Sequence, residues 1–457
     1  MAFITSTNPK DGKVLGKVEV SNTKQVISKV ALANKAKEKW KEIGLDGRKK
    51  YLNKLYDSFN KRKEEIALLQ TKDVGKSFKE SSGSIEDDLK YFKWYLDNAD
   101  KYLQSEITFE SKTEISTVFY EPTGTVAVIV PWNFPFANFI WGVIPNLIVG
   151  NTVVFKHSEE CPLFGKMIEE IFDETKFPEG VFSEVYGGKE VGEVLVNADI
   201  DLIWFTGSSI VGRKIYETAA KKFIKVILEL GGSAPGIVFD DVDVTDIVDS
   251  IYVARFFNCG QCCDGLKRLI VHESIYNTLI EKLKLCISSK KLGDPDNKST
   301  DLGPLVAKRQ VDLLKFQVDD AVKKGAKIEI GGKSPKNLSG AYYEPTILTN
   351  IKKEMRVWKE EVFGPVLPVV KFKTEEEAIC IANDTVYGLG AYVFTKDKKR
   401  AERVASKIDT GMVSINGSNY VIPCNPFGGN KLSGMGREHG KYGLYELTKV
   451  KVVSRTK

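Results

Sequence analysis

The chain has 457 residues, 42% hydrophobic and 28% charged, with 67 basic against 61 acidic side chains and a net charge of +6. That length exceeds one ordinary core and implies two or three domains, and the composition excludes a disordered or fibrous chain. The charges are interspersed, with no basic block or aromatic-basic stripe, so no nucleic-acid partner is expected.

"MAFITSTNPKDGK" lacks the charged start and long apolar run of a signal peptide. From about Lys24 to Tyr102 apolar residues recur every three or four positions between lysines, which predicts helices. "SEITFESKTEISTVFYEP" then alternates and is Thr-rich, and reads as a hairpin. After Pro122 strands and helices take turns: "GTVAVIVP", the helix "FANFIWGVIPNLIVG", "NTVVFK", the helix "PLFGKMIEEIFDETKF", "LIWFTGS" and "KVILELGG". Phe134 to Gly150 is the most apolar run, but it is short for a span and holds Asn138, Pro145 and Asn146, so a buried helix is expected and no membrane partner. Apolar strands separated by helices predict a parallel sheet covered on both faces, the usual cradle of a dinucleotide. A second alternating region, with "RLIVHE", "AYVFTK" and "GMVSIN", begins near Ala234, so the fold class is α/β with two units that divide near Glu229 to Gly236.

The chemistry turns on "FFNCGQCCDGLKR", Phe256 to Arg268, which holds Cys259, Cys262 and Cys263. Cys259 and Cys262 form a C-x-x-C pair, but a closed zinc site needs a second pair, and the other cysteines and the three histidines are scattered. No metal is therefore expected. A redox couple would open a helix in a small domain, whereas this pair lies deep in a large one. Three small buried hydrophobes remain an open reading of these residues by themselves. The odd, irregular cysteine spacing argues against a secreted disulfide scaffold and for the cytoplasm.

The stretches "PWNFP", "GNTVVFK", "FTGSSIVG", "LELGG", "GQCC", "YYEPTIL", "EEVFGPV", "INGS", "PFGGNKLSGMGRE" and "KYGLYE" occur in this order along nearly the whole chain. In number and order they resemble the aldehyde dehydrogenase superfamily, closest to short-chain succinate-semialdehyde dehydrogenase-type members. The resemblance implies a Rossmann-like NAD(P)-binding domain at 1–104 and 122–230 and an α/β catalytic domain at 231–432. A small β oligomerisation element would comprise 105–121 and 433–457, giving a homodimer or homotetramer, with the C-terminal strand pairing across the subunit interface.

It also assigns roles. Cys263 is the nucleophile, in keeping with the ready attack of a thiolate on an aldehyde. The Asn133 amide and the Cys263 backbone N–H stabilise the oxyanion, and Glu229 activates the water that hydrolyses the thioester. Relatives that pass the acyl group to coenzyme A generally lack this glutamate, so release of a free acid is implied. NAD is the implied cofactor, with NADP possible. Its site comprises Trp132, Lys156, Glu159, Gly207, Ser208, Gly212, Glu361 and Phe363, with Glu159 accepting from the ribose hydroxyls. Cys259 and Cys262 are given packing roles; Gly232, Gly260, Pro365 and Asn416 are structural, and Arg268 is expected to pair with a buried carboxylate.

At the positions where semialdehyde-oxidising relatives carry carboxylate-binding arginines, this sequence has Trp141 and Phe257. The substrate tunnel is then lined by Phe136, Trp141, Phe257 and Tyr420, and an uncharged aldehyde is expected, with succinate semialdehyde the alternative. An inactive structural relative and a redox-sensing protein are the readings from other classes; intact Cys263, Glu229 and Asn133 speak for the enzyme.

Overall fold

The computed structural model describes residues 2–457. A short hairpin, Phe3–Thr7 with Val14–Glu19, opens the chain. Four helices follow, Thr23–Glu42, Gly44–Lys61, Lys63–Val74 and Phe78–Leu103. The first begins at a capping box in which Asn22 accepts from the Gln25 amide at 3.0 Å and Gln25 accepts from the Asn22 amide at 2.7 Å. Among the described residues no helix is long and apolar enough to cross a membrane.

The first large sheet runs Gly434–Met435, Lys225–Glu229, Leu202–Thr206, Thr125–Ile129, Thr152–Lys156, Phe182–Glu184. All its strands are parallel except Gly434–Met435, which pairs antiparallel with Leu228 and Glu229. The order reverses beside Thr125–Ile129, from whose carboxyl end the chain passes one way and from Leu202–Thr206 the other. Ligands of doubly wound sheets bind at such a switch point. Every residue of Thr125–Ile129 and Thr152–Lys156 is buried, as expected for central parallel strands covered by helices.

The second large sheet has seven strands in the order Lys327–Ile330, Thr346–Thr349, Val366–Phe372, Leu266–His272, Ala234–Val238, Gly390–Phe394, Met412–Ile415. Only Lys327–Ile330 is antiparallel to its neighbour. The chain crosses from the first sheet to the second between Glu229 and Ala234, so the "ELGGSA" segment lies at the junction of the two.

A third sheet joins Glu106–Glu110, Glu114–Pro122 and Thr448–Thr456. Within the chain the C-terminal strand pairs antiparallel with Glu114–Pro122, from Thr448 opposite Pro122 to Thr456 opposite Glu114. This unbroken register satisfies its inner row of backbone groups and leaves the strand at an edge.

Candidate active site

The cysteine-bearing loop begins where helix Val244–Phe256 stops. Asn258, Cys259 and Gly260 all take left-handed backbone angles, φ 50°, 54° and 72°. Gly260 is required, since a Cβ there would overlap the Gly364 carbonyl. Asn258 donates from its amide to the Asn133 carbonyl at 2.7 Å, and the Asn133 amide donates back to the Gln261 carbonyl at 3.1 Å. Gln261 donates to the Asn258 carbonyl at 3.1 Å and accepts from the Val306 N–H at 3.0 Å. The "PWNFP" and "GQCC" segments are thus tied together through side chains.

Cys259 is buried in a cluster with Leu305, Leu314 and Val318, a packing position as expected. Cys262 is not: with Cys263 it lines a cavity of about 1150 Å³ between the two large sheets. Its thiol donates to the Asp264 carboxylate at 3.0 Å, because the turn after Gln261 directs it outward from the core. Burial pushes the Cys263 thiol well above its ordinary range; Asp264 adds to this and Lys267 opposes it.

Glu229 ends its strand at the same cavity and is 2% exposed, with neither carboxylate oxygen hydrogen-bonded. It lies against Gly428 (φ +148°), where a Cβ would come within 2.7 Å of Oε1. A second buried carboxylate, Glu438, lines the cavity as well. Burial pushes Glu438 up to about 8. Glu229 is driven well above the carboxylate range by burial first and by Glu438 next, with Arg437 opposing.

Glu361 accepts from the Gly232 N–H at 3.0 Å and ion-pairs with Lys267, whose ammonium also donates to the carbonyls of Cys263 and Gly232 at 2.9 Å each. Phe363 stands edge-on to Trp132, with ring centroids 5.7 Å apart, and both line the cavity. Gly232 has the close approach expected of it: a Cβ would meet the Cys263 carbonyl at 2.5 Å.

Gly207 and Ser208 line the cavity where the switch-point strand ends. Ser208 caps helix Ser209–Lys222, its hydroxyl accepting from the Val211 N–H at 3.4 Å. Gly212 lets the helix approach Leu230, which a Cβ would meet at 2.5 Å. Ile210 and Val211, in the first turn, are 75% and 44% exposed. Apolar side chains bared beside unpaired helix-start amides suit an adenine and pyrophosphate, so these residues fit a dinucleotide. Lys156 and Glu159 lie outside the cavity wall. Lys156 is buried and donates to the His157 carbonyl at 3.1 Å, with Glu159 3.9 Å away and half exposed.

Of the four expected tunnel residues, Trp141, Phe257 and Tyr420 line the cavity. Phe136 does not: it is fully buried against Phe59, Phe139 and Phe164. Helix Pro135–Val149 turns Ala137, Asn138 and Trp141 to the cavity, and Phe136, Phe139 and Val143 to the core. Arg268 also departs from expectation. Its guanidinium donates to the carbonyls of Ser233, Ile381 and Ala382 at 2.8–3.0 Å rather than to a carboxylate. A planar fork set against Ser233 and the last turn of helix Glu375–Asn383 satisfies several orphan acceptors at once.

Sequence reasoning missed Lys267, Glu438 and Asp264. Lys267 and Asp264 stood inside the quoted cysteine motif and Glu438 inside "GMGRE"; a charged residue within an otherwise small and apolar motif was the available signal. It also missed Lys76, fully buried with its ammonium 4.5 and 4.6 Å from the ring centres of Phe134 and Phe257.

The aldehyde dehydrogenase family model matches residues 2–453. The chain is 38% identical over 455 residues to betaine aldehyde dehydrogenase of Bacillus subtilis (strain 168), covering 98% of this chain and 93% of that protein. It is 38% identical over 452 residues to the mitochondrial succinate-semialdehyde dehydrogenase of Arabidopsis thaliana, covering 98% and 85%. The crystal structure of betaine aldehyde dehydrogenase from Staphylococcus aureus in complex with NAD+ superposes with a TM-score of 0.95 at 34% identity, over 99% of this chain and 91% of that one. An E. coli NADP dependent enzyme superposes with a TM-score of 0.96 at 33% identity, over 100% and 95%. The chain belongs to the aldehyde dehydrogenase family, whose general reaction is the NAD(P)-dependent oxidation of an aldehyde.

Proposed function

We propose that this protein oxidises an uncharged aldehyde to the free acid through a thioester on Cys263. The observation that carries the reading is the meeting of Cys263, Asn133 and the unpartnered, buried Glu229 on one cavity between the two sheets. The Cys263 thiolate adds to the carbonyl carbon, and the resulting oxyanion is held by the Asn133 amide and the Cys263 N–H. The Asn133 amide is already oriented by its bond to Gln261. When bound, the oxidised nicotinamide supplies the hydride acceptor that turns this adduct into a thioester. Trp132, Phe363, Glu361, Gly207 and Ser208 hold its site, and Lys156 and Glu159 the adenosine ribose.

Glu229, in its ionised form, takes a proton from water, which attacks the thioester; the acid leaves and Cys263 returns as thiolate. The raised affinity of Glu229 for protons makes it a stronger base once ionised. The Glu159 carboxylate favours NAD over NADP, since it accepts from ribose hydroxyls and repels a 2′-phosphate. A homodimer or homotetramer in the cytoplasm is the form we infer.

Trp141 and Phe257 on the wall carry no positive charge to match the carboxylate of a semialdehyde, and so favour an uncharged substrate. Leaving a carboxylate unpaired costs on the order of 3 kcal/mol, about a hundredfold in specificity. NAD(P)H formation across neutral, aromatic and carboxylated aldehydes tests both levels. Turnover of neutral aldehydes above succinate semialdehyde is expected; preference for the semialdehyde defeats the substrate class, and no turnover with any aldehyde defeats the reaction.

A further inference from the structure

Beside the nucleophile the cavity wall carries a carboxylate for which the thioester chemistry has no use. Asp264 directly follows Cys263, is 8% exposed and lines the cavity. Its carboxylate accepts from the Cys262 thiol at 3.0 Å, a weak donor that leaves most of its acceptor capacity free. After burial itself, Asp264 is the foremost group raising the Cys263 thiol, so it opposes formation of the attacking thiolate. A carboxylate that hinders the nucleophile and whose side chain accepts only from a thiol needs another reason to be there.

Its surroundings supply one. Tyr392 donates to the Asp264 backbone carbonyl at 3.1 Å, and Tyr420 donates to Tyr392 at 3.3 Å; both rings line the cavity. Tyr91 Oη, Trp141 Nε1 and Asn138 Nδ2 belong to other lining residues and have no hydrogen-bond partner. The wall therefore combines an acceptor-only carboxylate with donors awaiting an acceptor. A hydroxyl is the substituent that both donates and accepts. An alkyl chain would leave Asp264 desolvated and unpaired. An ammonium would satisfy Asp264 but, having no acceptor, would leave the donors of Tyr91, Trp141 and Asn138 unmet.

We propose that Asp264 determines specificity by accepting a hydrogen bond from a hydroxyl near the carbonyl of the substrate, so that short hydroxylated aldehydes are the preferred class. This rests on Cys263 being the nucleophile. The test compares kcat/KM for propanal, 2-hydroxypropanal, 2,3-dihydroxypropanal and 3-aminopropanal in the wild type, Asp264→Ala and Asp264→Asn. The hydroxylated aldehydes should exceed propanal by about tenfold or more in the wild type, as for a hydrogen bond to a charged group. In Asp264→Ala that ratio should fall toward one; in Asp264→Asn, whose amide oxygen still accepts, it should be partly restored.

A wild-type preference for propanal, or a ratio untouched in Asp264→Ala, overturns the proposal. So does a preference for 3-aminopropanal that Asp264→Asn abolishes, which would mean that charge is recognised instead. If Asp264→Ala does not fold, the wild-type series and Asp264→Asn still decide. Failure of the underlying reading looks different: no variant, the wild type included, would form NAD(P)H from any of the four aldehydes.

Discussion

Lys267 joins the nucleophile to the far wall of the site: one buried ammonium donates to the Cys263 carbonyl at 2.9 Å and ion-pairs with Glu361. The loop bearing the thiol and the loop bearing Phe363 are therefore positioned by the same charge. Lys267→Met should lower both kcat/KM and stability, by on the order of 3 kcal/mol in the latter, because it leaves the Glu361 carboxylate without its partner. It should also raise the thiol pKa of Cys263, since Lys267 opposes the groups that push it up. Denaturant melts and the pH dependence of iodoacetamide labelling read the two effects separately.

Cys263→Ala should abolish aldehyde oxidation while cofactor binding, followed by fluorescence titration, persists. Cys259→Ala keeps most activity because Cys259 only fills a core. Cys262→Ala should stay active and shift substrate preference, since it removes the thiol that donates to Asp264. An inactive Cys262→Ala would place the nucleophile one residue earlier.

Glu229→Gln should separate the half-reactions. Adduct formation and oxidation need only the thiolate, Asn133 and the cofactor, so rapid mixing should show one burst of NAD(P)H and then little turnover. Unchanged steady-state turnover would remove Glu229 from the mechanism.

The buried pair Glu229 and Glu438 gives a pH prediction. Glu229 acts as a base only when ionised, so thioester hydrolysis should rise with pH on a limb displaced above the ordinary carboxylate range. Glu438→Gln removes the leading charge that raises Glu229, and the limb should move to lower pH. Stability follows the same linkage. Glu438 is held protonated in the fold up to about 8, so its contribution is complete below the unfolded carboxylate pKa and is lost as pH rises through about 8. Relative to wild type, Glu438→Gln should therefore melt higher at alkaline pH than at acidic pH.

The three-stranded sheet bears on assembly. Phe109, Val450 and Val452 are 52%, 63% and 61% exposed on it, and Thr448–Thr456 keeps one free edge. Such an edge invites pairing with another chain. Light scattering should give a dimer or tetramer, and Val452→Glu should shift it toward monomer.

What could be read from the sequence follows what each kind of residue answers to. The buried strands around Val126, Val153 and Ile203 were legible because parallel strands covered on both faces are continuously apolar. The opening hairpin Phe3–Thr7 with Val14–Glu19 was not, since its mostly exposed residues leave little periodic signal; helix Lys189–Asn197 buries Val191, Leu195 and Val196 at helical spacing but is only nine residues long. Cys263, Glu229 and Asn133 were singled out through motif order, and the structure brings all three to one cavity. Phe136 went astray because proximity to "PWNFP" was taken for orientation, while the helix turned that ring to the core. Asp264 and Lys267 stood out as charges inside the cysteine motif, but their contacts with Tyr392 and Glu361 lie on elements distant in sequence and could not be read locally.

Arg255 and Arg268 are both buried and spend their donors on backbone carbonyls, Val366 and Val362 for the first, Ser233 and Ala382 for the second. Burial lowers each to about 10, which still leaves them charged at neutral pH. Neutral carbonyls accept from a guanidinium without cancelling its charge, so both leave a standing positive potential in a medium that screens poorly. Arg255 lies near enough to interact with Cys259 and Cys262. The electrostatics at these two thiols are consequently set in part by a side chain buried behind them. Replacing Arg255 with an uncharged residue would disturb Cys259 and Cys262 through the field as well as through the backbone that it braces.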